Sequence, residues 1–208
     1  MRRYALWSAI VTVALSAAVG PAATEAENKE IWGALAPAIP SGSFGDSYSV
    51  GVLGLHVGVG FKVKPQLMVG GAVEYNAFSL DADAVKEKGN INASTEITGG
   101  GSKMLGVTGH ARYFFKPEGT QPYASVGLGL TNISVADIEY SVSDSGYTAQ
   151  GEVPFDGQTK PKIAIGVGVD VPHGDKLKFF AEGGYQVIFT SDESTSCLIF
   201  RFGARYGL

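Results

Sequence analysis

Residues 163–187 read IAIGVGVDV, then PHGDK, then LKFFAEGGYQV, and the reading of this stretch decides the fold. In the first run Ile163, Ile165, Val167, Val169 and Val171 alternate with Ala164, Gly166, Gly168 and Asp170. Strict period-two alternation gives a β-strand with one apolar face, because successive strand side chains point to opposite sides. The second run keeps the period: Leu177, Phe179, Ala181, Gly183, Tyr185 and Val187 alternate with Lys178, Phe180, Glu182, Gly184 and Gln186. Pro172 and Gly174 punctuate the turn between them. The face opposite the apolar one carries glycine with sparse charge, whereas a soluble sheet would set Lys, Thr, Glu and Ser there. Such a face suits the crowded polar interior of a small membrane barrel.

The rest of the chain repeats this grammar. Strand candidates fall at 31–39, 48–61, 67–78, 103–115, 122–136, 163–171, 177–187 and 197–206. Each is long enough for the ~9–11 residues of a tilted membrane-crossing strand. The connections between them fall at 40–47, 62–66, 79–102, 116–121, 141–160, 172–176 and 190–196. The two longest, 79–102 and 141–160, lie on one side as the second and third outer loops. The turns on the other side are short and all carry proline (Pro65, Pro117, Pro172). Short turns at one end, long polar loops at the other and an even strand number predict an all-β fold. It is an eight-stranded antiparallel up-and-down transmembrane β-barrel over residues 27–208, with both termini on the short-turn, periplasmic side.

Composition narrows the function classes. The 208 residues carry a net charge of -4, without the basic patch that nucleic-acid binding needs. The 29 glycines follow no collagen-like period. Cys197, alone of its kind, excludes an intramolecular disulfide and a zinc cluster, and reads as a small packing residue. A mean hydropathy of +0.11 is mild, as expected when only every second strand residue meets lipid. Residues 1–26 read as a secretory signal: Arg2 and Arg3, an apolar core from Ala5 to Val19, then small residues with cleavage after Ala22 or Ala26. Removing Arg2, Arg3 and Glu25 with this segment takes the charge from -4 to -5.

A soluble lipocalin-like barrel alternates as well, but turns its apolar face inward. Three features favour the membrane version. Aromatic residues gather toward strand ends (Phe61, Tyr75, Tyr113, Phe115, Tyr206), as in an interfacial girdle. The opposite face is too rich in glycine to solvate a surface. The last strand closes the chain with alternating aromatics.

Several segments carry a family resemblance. They are PSGSFGDSY at 40–48, GVGFK at 58–62 with Pro65, YFF at 113–115 with Pro117, PY at 122–123 with GLG at 127–129, and the last two hairpins. With these the chain resembles the small outer-membrane β-barrel proteins of Gram-negative bacteria, of the OmpA, OmpX and opacity-protein type. The resemblance covers the whole mature chain. It implies an outer-membrane location, contact with outer-membrane lipids and lipopolysaccharide, and a monomer. One departure stands out: such barrels usually finish on Phe or Trp, and this chain ends Tyr206, Gly207, Leu208, with Tyr206 placed to serve two residues early.

With the apolar face outward, the lumen receives Glu74, Asp170 and Glu182 as acids and Arg112, Lys178, Arg201 and Arg205 as bases. His56, His110, Asn76, Thr108 and Gln186 add hydrogen-bonding groups. Eight strands leave an interior just wide enough for side chains to fill, and charges buried there have to be paired. The polar network Glu74, His110, Arg112, Asp170, Lys178, Glu182, Arg201 and Arg205 therefore reads as a structural plug, with a narrow gated channel for small or hydrophobic solutes as the alternative. Catalysis needs a nucleophile, a base and an orienting group within reach. His56 and His110 point inward and His173 sits at a short turn, so a lipid-modifying enzyme is the weakest reading and no catalytic residue is assigned. No HxH, HExxH or paired-cysteine spacing suggests a metal, and no cofactor is expected. The loop acids Asp81, Asp83, Asp137, Glu139, Asp144, Glu152 and Asp156 offer oxygens for loose Ca²⁺ binding but lack an EF-hand-like spacing, and read as a solvated rim. Recognition of an extracellular partner is left to the outer loops.

Overall fold

A sheet whose strands each have one apolar face must either leave two unpaired edges or close on itself, and in lipid only closure satisfies every backbone group. The chain closes. In the computed structural model residues 29–91, 95–144, 147–153, 157–190 and 194–208 are described; the expected signal segment, residues 1–26, lies outside them. The elements in order are β1 (Lys29–Leu35), β2 (Ala38–Ser41), a 3-10 turn (Gly42–Phe44), β3 (Leu53–Lys64), β4 (Leu67–Phe78) and α1 (Ala82–Lys88). They continue with β5 (Thr95–Gly99), β6 (Ser102–Phe114), β7 (Gln121–Val135), β8 (Ile138–Asp144) and β9 (Tyr147–Val153). The last three are β10 (Gln158–His173), β11 (Leu177–Phe189) and β12 (Ser194–Gly207).

The wall runs β1, β3, β4, β6, β7, β10, β11, β12 and back to β1, every neighbour antiparallel. Closure sets Ile31 opposite Tyr206 and Leu35 opposite Phe202. The opening hairpin of the sequence reading is in register across its turn, with Val171 opposite Phe179 and Ile163 opposite Val187. Its odd residues face out and its even residues face in: Val167 is 66% exposed and Asp170 0%. Exposed Leu55, Val57, Leu128, Ile165 and Phe202 continue the outer apolar band around the wall. A soluble barrel has the opposite polarity, so this is a membrane-spanning barrel.

The first strand departs from expectation. The sequence predicts one strand over 31–39; the structure splits it into β1 and β2, separated by Ala36 and Pro37. Pro37 has no N–H to give the ladder, although its carbonyl still accepts from Phe200 N at 2.9 Å. β2 keeps the β1 register on β12, with Ser41 opposite Ser196. On the other side the pairing slips by one residue: Ala36 N donates to Gly54 O at 2.8 Å, whereas Ala38 bridges Gly51. The second strand therefore starts at Leu53 rather than Tyr48. Asn76 Nδ2 donates to Ala36 O at 2.8 Å and occupies the kink. This junction has no room for a side chain at Gly54, where a Cβ would collide with Ala36 O and Asn76 Nδ2. Gly54→Val is expected to cost about 3 kcal/mol, the upper end of overpacking, because the obstruction is backbone. Gly33→Ala, on the outer face with nothing within 4 Å of its Cβ, is the silent control. Urea midpoints of the two variants in detergent check this; equal midpoints would refute the kink's role.

The long loops, expected as polar connections, carry structure of their own. Segment 79–102 contains α1, capped by Asp81 Oδ1 accepting from Ala84 N at 3.1 Å. β5, from the same segment, pairs with β8, and β8 pairs with β9, so both long loops build one three-stranded sheet. The signal was present in the sequence, where Ile138, Tyr140 and Val142 alternate with Glu139, Ser141 and Ser143.

Candidate functional site

The lumen is filled in layers. At the loop end Ala36, Ala38, Phe78, Met104, Ile188, Cys197 and Ile199 form a buried apolar layer, with Phe44, Tyr48 and Ile133 packed against it. Phe44 and Phe78 meet edge-on at 5.1 Å, which brings the first loop down over the mouth. At the turn end lies a second apolar and aromatic cluster that includes Trp32, Met68, Phe114, Tyr123 and Phe180. Charge occupies the space between and below these layers.

The glycine face makes room for this filling. A Cβ at Gly60 would lie 3.0 Å from the Trp32 indole and one at Gly70 3.1 Å from it, and a Cβ at Gly58 would overlap it. At Gly168 a Cβ would come within 2.5 Å of the Tyr123 ring, and at Gly166 within 3.2 Å of Glu182 Oε1. Glycine every second residue is therefore the counterpart of two large aromatics and a carboxylate reaching across the bore.

The predicted lumen residues come together as follows. Glu74 Oε2 accepts from Lys162 Nζ at 2.7 Å, and its Oε1 lies 3.4 Å from His56 Nδ1 and 3.7 Å from Arg201 Nη2. Glu182 accepts from Arg201 Nη1 and, at 2.9 Å, from the Tyr123 hydroxyl. Arg112 Nε stands 3.9 Å from Glu182 Oε2, with its guanidinium 4.5 Å over the Trp32 ring. Arg205 donates to Asp170 Oδ2 at 2.8 Å and to the Tyr123 hydroxyl at 2.9 Å, and lies 4.3 Å over Phe180. Lys178 donates to Glu30 at 3.2 Å and to Gln121 Oε1 at 3.1 Å. His110 meets Trp32 edge-on at 5.0 Å. Charge-assisted hydrogen bonds shared in this way lock one another in place, since a carboxylate with two or three donors cannot turn toward one without leaving another.

Sequence reasoning missed Lys162, Glu30, Trp32 and Tyr123. Lys162 continues the inward parity of Ala164, Gly166, Gly168 and Asp170 but stands one residue before the expected strand start at Ile163; β10 begins at Gln158. Glu30 lay one residue outside the expected first strand, which begins at Lys29. Tyr123 shares parity with Ser125 and Gly127, so the alternation already turned it inward. Trp32 had no such signal, because the first strand is the least regular. Among the described residues no group of three His, Cys, Asp or Glu side chains is placed to hold a metal ion.

No protein-family model matches the sequence, and no curated protein matches it. Solved structures do resemble it in fold. Neisserial surface protein A is 16% identical, with a TM-score of 0.52 over 86% of this chain and 97% of that one. The outer membrane protein OprG from Pseudomonas aeruginosa is 13% identical, with a TM-score of 0.53 over 86% of this chain and 95% of that one. The chain thus has the fold of the small outer-membrane β-barrels.

Proposed function

We propose that the protein is a non-enzymatic outer-membrane anchor that displays its long loops at the cell surface for interaction with an extracellular partner. The observation that carries this reading is the closed lumen. An apolar layer seals the loop end, an interlocked ion-pair network fills the middle, and the cavity left inside that network measures about 20 Å³, roughly the room of one water. A bore filled in this way supports a scaffold rather than a conduit. The sheet built from both long loops gives the exposed end a framed surface, and rigid display of loops is the usual arrangement for recognition. Under this reading the outer band contacts membrane lipid and lipopolysaccharide, the short turns face the periplasm and the barrel works as a monomer.

Two measurements on one preparation test the proposal. Reconstituted into planar bilayers, the barrel is expected to be electrically silent. Protease added to intact cells is expected to cut only within 79–101 and 136–157 and to leave a heat-modifiable barrel fragment. Discrete current steps would overturn the scaffold in favour of a channel. Resistance of both loops in intact cells, with cleavage after lysis, would overturn surface display.

A further inference from the structure

Among the described residues the lumen carries more fixed cations than anions. In its middle Glu74, Asp170 and Glu182 face Lys162, Arg112, Arg201 and Arg205, and toward the turn end Glu30 faces both Lys178 and Lys62. With His56 and His110 neutral, the middle of the lumen carries one positive charge beyond what its acids balance. Protonation of either ring would enlarge the surplus.

The geometry identifies the spare cation. Lys162 sits 2.7 Å from Glu74, Arg205 2.8 Å from Asp170, and Arg201 is bonded to Glu182. Arg112 comes no nearer than 3.9 Å to Glu182, the one carboxylate it approaches among the described residues. Its Nε and Nη1 have no hydrogen-bond partner among the described residues, although the side chain is only 2% exposed. A guanidinium so placed is costly unless a counter-charge meets it.

Arg112 borders the 20 Å³ cavity together with His56, Thr108, His110 and Ser125. Thr108 Oγ1 and His110 Nε2 also lack a described partner. The hydroxyl, an imidazole N–H and the two guanidinium N–H groups can all donate. Glu74 and Glu182 lie at the border too: Arg201 and Tyr123 engage both oxygens of Glu182, Lys162 engages Glu74 Oε2, and Glu74 Oε1 faces His56 at 3.4 Å and Arg201 at 3.7 Å. Water in this cavity would satisfy donors and leave the charge unbalanced. An anion does both.

We propose that the cavity is a binding site for a small monovalent anion of the halide class, held by Arg112 with Thr108 and His110. The site takes from the display reading only the closed lumen; a conducting barrel with halide bound in the cavity would refute display and leave the site standing. Crystals of the full barrel grown in sodium bromide are expected to show an anomalous peak within hydrogen-bonding distance of Arg112, and an empty anomalous map at that position would overturn the proposal. Unfolding of the detergent-solubilised protein gives the second test. Near saturation a tenfold rise in bromide or chloride is expected to raise the folded-to-unfolded ratio about tenfold, while sodium gluconate at equal ionic strength does not. Arg112→Met removes the spare charge and is expected to abolish this dependence while keeping the barrel heat-modifiable. A variant that retains the full halide response would assign the effect elsewhere and overturn the proposal. Should the variant fail to fold, the bromide map of the unaltered protein decides.

Discussion

Glu182→Gln is expected to lower the stability of the barrel by about 3–5 kcal/mol, the range for removing one partner from a buried ion pair. The carboxamide keeps the shape of the side chain and an oxygen that can still accept from the Tyr123 hydroxyl. It loses the charge that Arg201 and Arg112 both face. Arg201 would keep only Glu74, at 3.7 Å, and Glu74 is already shared with Lys162 and His56. Arg112 would then face no carboxylate within 4 Å among the described residues. Urea unfolding followed by Trp32 emission reads the loss as a lower midpoint. The double variant Glu182→Gln with Arg201→Met removes the stranded charge and should lose less than the two single variants added together, by about 0.5–3 kcal/mol of coupling. An unchanged midpoint in the single variant would mean that water, not Glu182, solvates the two arginines, and the plug would have to be redrawn as an aqueous bore.

Val167→Arg tests the other face. Val167 lies near the middle of β10, is 66% exposed and sits between the outward residues Ile165 and Val169. On a barrel in lipid, arginine at the bilayer midplane is expected to destabilise by about 2–4 kcal/mol. On a barrel in water the same change at so exposed a site would stay within about 0.5 kcal/mol. The two values do not overlap. Folding yields and unfolding midpoints in phospholipid vesicles make the comparison, with a charge placed in an outer loop as the control. A silent Val167→Arg would overturn the lipid-facing assignment even though the structure exposes the residue.

The two substitutions probe opposite faces of one hairpin, and that hairpin shows how much the sequence settled. Period-two alternation from Ile163 to Val187 separated the outward from the inward residues without ambiguity, and Val167, Asp170 and Glu182 lie on the faces so assigned. The reason is geometric: a strand's side-chain period is two, so one correct residue fixes the face of all the others. The same logic placed Glu74, Arg112, Arg201 and Arg205 inside. It failed at strand ends. Glu30 and Lys162 each stand one residue before the strands expected from Ile31 and Ile163, whereas β1 begins at Lys29 and β10 at Gln158. Lys162 is the cation that Glu74 holds most closely, so the sequence alone misjudged the charge balance of the lumen.

What the sequence determined by itself was therefore the number of wall strands and the side on which the long loops fall, from local period and turn chemistry, and the polarity of the wall, from its aromatic strand ends and glycine-rich inner face. Tertiary structure alone decided which acid meets which base. Glu74 and Lys162 stand 88 residues apart, and Tyr123 and Arg205 82 apart. Nothing in either local segment encodes the stagger of the strands that brings them level across the bore. The loop sheet is the same case: β5 and β8 are joined by long-range pairing, and alternation in a short segment says that a strand can form without naming its neighbour. Arg112, left without a close carboxylate, belongs to this second class, because a charge is spare only with respect to partners that folding assigns.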